Sequence, residues 1–88
     1  MAMVGADVEQ LNQLAAQLNN KANEIQNVIS QLTSAINSVE WRGNDANRFR
    51  SDWQGQYVGQ LKTVVSALQT ASQNAKRNAQ EQQQASGT

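Results

Sequence analysis

Apolar residues recur along the first half of the chain at Val4, Val8, Leu11, Ala15, Leu18, Ala22, Ile25, Ile29, Leu32, Ile36 and Val39, in alternating steps of four and three. That spacing keeps them on one face of a helix and predicts a heptad seam. Past a short break at Trp41, Arg42 and Gly43 a second seam begins: Ala46, Phe49, Trp53, Tyr57, Leu61, Val64, Leu68, Ala71 and Ala75. It keeps the same rhythm apart from consecutive steps of four between Phe49 and Leu61. The pattern predicts one all-α domain over residues 1–88, an antiparallel two-helix hairpin. Its parts are a helix over 7–40, a turn over 41–44, a helix over 45–80 and a flexible tail over 81–88. Each helix should reach roughly 50 Å at 1.5 Å per residue.

Local signals support these boundaries. Asp7 with Gln10 three residues on reads as an N-cap with a capping partner, and Asp7 and Glu9 suit the positive end of the helix dipole. Gly43 tolerates positive φ at the break, and Asn44 or Asp45 can cap the second helix. A short connection between long helices makes them antiparallel neighbours. Gly55 and Gly59, four apart and away from the seam, predict either close approach of another helix backbone or local softness. From Gln80 onward the apolar rhythm is lost, so fraying is expected there.

Leu14, Val28 and Ala35 lie beside the first seam and widen it beyond what a two-stranded contact uses. Each helix of a lone hairpin can cover only one side of its partner, and a chain this short buries little of its surface. Dimerisation into a four-helix bundle is therefore expected. The outer stripe is assigned to Leu14, Val28, Ala35, Val58 and Val65. The candidate dimer interface as a whole comprises Leu11, Leu14, Leu18, Ile25, Val28, Ile29, Leu32, Val58, Leu61, Val65 and Leu68.

Charge narrows the partners. Seven basic and seven acidic residues cancel, which removes the overall positive field that nucleic acid or an anionic membrane would need. The halves differ: through Glu40 four acids oppose Lys21 alone, giving −3, and beyond it six bases oppose three acids, giving +3. First and second helices should attract, within a chain or between chains. This complementarity slightly favours self-association with the first helix of one copy against the second helix of another. Arg42, Arg48 and Arg50 beside a turn resemble the layout of a DNA reader, but such readers join short helices at a steep angle. Asn and Gln, about a quarter of the residues, hydrate the outer face without strong charge. No stretch approaches the ~18 apolar residues of a membrane span, so no stable membrane insertion is expected. A membrane-active amphipathic hairpin would want a more basic polar face. The segment MAMVGADVEQL has no basic stretch followed by an apolar run, so no general secretory signal is read there.

The sequence contains no Cys and no His, which excludes disulfides, thiolate metal sites and the usual nucleophile–base pairs. Ser30, Ser34 and Ser38 have no base to activate them and read as small polar helix surface. Asp45 and Asp52 lie near Arg48 and Arg50, where Arg48 and Asp52 have the i, i+4 spacing of a supporting ion pair. No enzyme activity, metal or cofactor is expected.

In the context WRGNDANRFRSDW, between two heptad-patterned helices in a Cys-free chain of this length, the Trp-x-Gly motif resembles the WXG family of type VII (ESX) secretion substrates, the early-secreted-antigen-like proteins. The resemblance covers essentially the whole chain. It implies a small protein made in the cytoplasm and secreted, or carried to the cell surface, without a signal peptide. Its partners would be itself or a second WXG-family protein, and the ATPase of the secretion system. Trp41 and Gly43 would form the turn motif, with Trp41 burying its indole at the bend and Gly43 reversing the chain where a side chain would clash. Ala46, Phe49 and Trp53 would pack the hinge end. The family's Tyr-x-x-x-Asp/Glu signal after the second helix is absent, since the sole tyrosine is Tyr57 and the tail reads AKRNAQEQQQASGT. Either a partner chain supplies the signal or other tail residues do. A non-secreted coiled-coil adaptor, or a helper for a larger effector, is the alternative reading.

Overall fold

The computed structural model describes residues 7–87, with side chains through residue 85. Val4, the first position of the expected seam, lies outside the described residues. The chain folds as α1 (Val8–Ser38), α2 (Asn44–Asp52), a π-helical turn (Trp53–Tyr57) and α3 (Val58–Gly87). The last three run on as one second helix that packs antiparallel along α1 in a rod of 67 × 17 × 12 Å. No strand occurs among the described residues.

Asp7 caps α1 as its spacing predicts, accepting from the Gln10 backbone N–H at 3.0 Å. At the other end α1 stops at Ser38, because Val39 turns extended (ψ 139°) while its N–H still donates to the Ala35 carbonyl at 3.1 Å. Two hydrogen bonds set the alignment of the rod. The buried Ser72 hydroxyl donates to the Ala15 carbonyl at 2.6 Å, and the Trp53 indole N–H donates to Thr33 Oγ1 at 2.8 Å. Extending that alignment places Val8 opposite about residue 79, so the last two turns of α3 project past α1. The rod is therefore longer than the sequence predicts, and residues 81–87, expected as a tail, continue the helix. Gln, Glu and Ala in this segment are good helix formers, which sustains a helix after the apolar rhythm has gone.

The second seam differs from its simplest reading. Tyr57 and Val64 are exposed, and the residues that turn toward α1 are Ala46, Arg50, Trp53, Val58, Leu61, Val65, Leu68, Ser72, Ala75, Ala79 and Gln82. Their steps alternate four and three throughout, except for a step of five from Trp53 to Val58. The π turn absorbs that extra residue: the Val58 N–H reaches back five residues to the Trp53 carbonyl. A straight α-helix continuing from Trp53 would have turned Gln60 and Ala67 inward instead of Leu61 and Leu68. Partial burial of each leucine contributes on the order of 1 kcal/mol, which offsets the poorer geometry of one wide turn. The run of fours between Phe49 and Leu61 is the trace of this insertion.

Gly55 lies inside the π turn and Gly59 just after it, and a Cβ added at either would meet nothing within 4 Å. Close helix approach does not explain them within the hairpin. Deleting Gly55 should convert the π turn to regular helix with Val58, Leu61 and Val65 still inward, and thermal melting should occur at or above the wild-type temperature. Gly59→Ala should add about 1 kcal/mol of stability by the same assay.

Small residues bring the helices together toward the open end, where Ala15, Ala22, Ala75 and Ala79 are buried beside Ser72. Larger side chains fill the seam toward the bend, with Ile29, Val65 and Trp53 all buried.

Candidate functional site

The bend is built from residues 39–43 and held by the first turns of α2. Gly43 has φ +113° and ψ −177°, a region open essentially to glycine alone, and it is the only positive φ among the described residues. A Cβ at Gly43 would meet nothing within 4 Å. The glycine is required by backbone conformation and not, as expected, by a clash. Gly43 itself is the N-cap of α2, and neither Asn44 nor Asp45 supplies a capping side chain.

Trp41 is 40% exposed and Phe49 41%, and their rings contact each other at 5.4 Å between centroids with a 51° tilt. The indole is thus not the core plug that the motif implied. Trp53 fills that role at 9% exposure, one helical turn beyond Phe49 on the inward face, while Ala46 is fully buried beneath the bend. Of the residues assigned to hinge-end packing, Ala46 and Trp53 pack inward and Phe49 joins Trp41 outside.

The side chain of Arg50 holds the bend together. Its Nε donates to the Ile36 carbonyl at 3.2 Å, one terminal nitrogen to the Trp41 carbonyl at 2.9 Å, and the other to the Val39 carbonyl at 3.0 Å. α1 has no basic residue in its last turn, so this guanidinium supplies from the opposite helix the positive charge that the C-terminal dipole favours. Sequence reasoning places Arg50 only among surface charges. The available signal is an acidic first helix with uncompensated terminal carbonyls and an arginine on the next helix's inward step. The expected Arg48–Asp52 pair does not form; among the described residues the ion pair present is Lys21 to Glu24 at 2.9 Å.

From the aromatic pair an apolar face runs along one side of the rod. Val39, Leu32, Val28 and Leu14 of α1 are exposed, as are Tyr57 and Val64 of the second helix. Leu11, Leu18, Ile25, Val58, Leu61 and Leu68 are half-buried, and Ala35 is exposed. Leu14, Leu18 and Leu68 line one shallow groove, which puts the stripes of both helices on a common face. The opposite side is a mixed groove in which Gln26, Ser30, Thr33, Ser34, Gln54, Lys62, Ser66 and Gln69 surround Ile29, Val58 and Val65. Three residues assigned to the dimer interface are not on the outer face: Val58 lines the opposite side, and Ile29 and Val65, which line it too, close the hairpin itself, Val65 at 4% exposure. The π turn moves Val65 inward and leaves Val64 in its place.

No group of His, Cys, Asp or Glu that could hold a metal occurs among the described residues. No described helix is long and apolar enough to cross a membrane.

Fold and bend together define a class: a helical hairpin reversed at a Trp-x-Gly motif, with one side apolar. The family model for proteins of 100 residues with WXG matches residues 4–86, and the chain belongs to this WXG100 family. Its members are small helical proteins secreted by type VII systems, are not known as enzymes, and typically pair with WXG partners. Neither the curated proteins nor the solved structures yield a match.

Proposed function

We propose that this chain is a type VII secretion substrate, or the partner of one, exported as a helical-bundle dimer with itself or with a second WXG protein. The observation that carries the reading is the apolar face, on which Leu14, Val28, Leu32, Val39, Tyr57 and Val64 stand exposed along a rod 67 Å long. It also exposes residues such as Leu14 and Val28 that a solitary rod would leave in water. The ATPase of the secretion system would read the bend end, with Trp41 and Phe49, together with either the partner's C-terminal segment or residues 76–88 of this chain.

Light scattering over a range of concentrations tests the pairing. A dimer is expected, and Leu14→Asp with Val28→Asp should make it monomeric without loss of helicity. Appearance of the protein in culture medium only when the secretion ATPase is present tests export. Retention inside the cell while the ATPase is active would favour the adaptor reading.

A further inference from the structure

The outer stripe of α1 carries a heptad of its own: Leu11, Leu14, Leu18, Lys21, Ile25, Val28, Leu32, Ala35 and Val39 step by three and four without a break. Lys21 is its one polar member. Its amine pairs with Glu24 on the same helix while both side chains stay largely exposed, at 69% and 58%. A single lysine in an otherwise apolar seam costs stability and typically specifies register. We propose that Lys21 and Glu24 set the register and choice of partner, which is a second copy of this chain with the two α1 helices antiparallel and a two-fold axis near residue 23. The inference rests on the pairing proposed above.

In an isologous contact residue i meets j and j meets i, so a basic and an acidic residue close together on one helix are self-complementary about a two-fold axis between them. With the axis near residue 23, Leu14 meets Leu32 and Leu18 meets Val28 of the second copy. Lys21 then lies against Ile25 and beside Glu24 of that copy, twice per dimer. A shift of the two helices by one heptad in either direction sets Lys21 opposite Leu18 or Leu32 of the copy, with no carboxylate within a turn. The other face-to-face packing sets α1 against the copy's second helix, which the opposite charges of the two halves favour. Residues 53–80 contain no Asp or Glu, so Lys21 would have no acidic partner there.

Charge exchange tests this on the full chain, with circular dichroism confirming that each variant folds. K21E alone and E24K alone bring like charges together across the two-fold, and each should weaken self-association by about tenfold or more in sedimentation equilibrium. An equimolar mixture of the two restores both contacts, because the paired carboxylates of a K21E chain then face the paired amines of an E24K chain. A heterodimer with near wild-type affinity is expected. If the wild type dimerises but the mixture associates no better than either variant alone, the register is not set by these residues and the inference fails while the pairing stands. A wild-type chain that stays monomeric at millimolar concentration overturns self-pairing and this inference with it, and leaves pairing with a second WXG protein standing.

Discussion

Trp53→Ala is expected to lower the stability of the hairpin by roughly 3–5 kcal/mol, the range for truncating a buried tryptophan. The indole is buried on the seam, and its loss also strands the Thr33 hydroxyl that accepts its N–H. Thr33 is half-buried and close to the surface, so water can replace part of that bond, and most of the cost is the cavity. Trp41→Ala, by contrast, removes a ring that is already 40% in water and stacks at a tilt on Phe49, so it should cost less, about 2 kcal/mol. Urea or thermal melts of the two variants side by side measure the difference. Equal losses would show that Trp41 buries more than the lone hairpin reveals, as it would in an assembled dimer. Comparison at concentrations above and below the association midpoint separates those cases.

Arg50→Met is expected to cost about 2–3 kcal/mol, because one substitution removes charge-assisted bonds to three carbonyls. Arg50→Lys should recover less than half of that loss: an ammonium keeps the charge at the end of α1 but cannot span Ile36, Val39 and Trp41 with a planar fork. Amide hydrogen exchange should localise the effect to residues 36–43 for the lysine variant, while the open end of the rod exchanges as in wild type. A uniform increase along the rod would mean that the guanidinium supports the whole hairpin and not the bend.

The helices, the bend, the N-cap at Asp7 and the conformation at Gly43 are legible in the sequence, since each follows from spacing or from one residue's backbone freedom. The inward face of the second helix does not follow as directly. Tyr57 and Val64 are more obviously apolar than Ser72 or Gln82, and nothing local announces a five-residue step; only competition between two whole registers against α1 decides it. Arg50 is obscured for a related reason. Its partners are backbone carbonyls, which every residue carries, so no pattern of side chains points to them. Trp41 shows the limit of motif reasoning, because a Trp-x-Gly bend is satisfied with the indole inside or outside. Equating loss of amphipathicity with loss of helix misjudges residues 81–87, where propensity alone extends α3 to Gly87.

The uneven seam has a mechanical consequence. Alanine methyls, one serine hydroxyl and the half-buried Leu18 and Leu68 join the helices toward the open end, whereas Val65 joins them at mid-rod and Ile29 and Trp53 toward the bend. Because the helices are antiparallel, a load applied at the end of α3 peels them apart one contact at a time and does not shear them together. The first contacts to part are the cheapest, about 1 kcal/mol per buried methyl, and resistance climbs only as the separation nears Val65 and Trp53. Pulled in that direction the rod behaves as a zipper with a soft leading edge and a latch at the far end, yielding progressively under small forces while the bend stays closed until last.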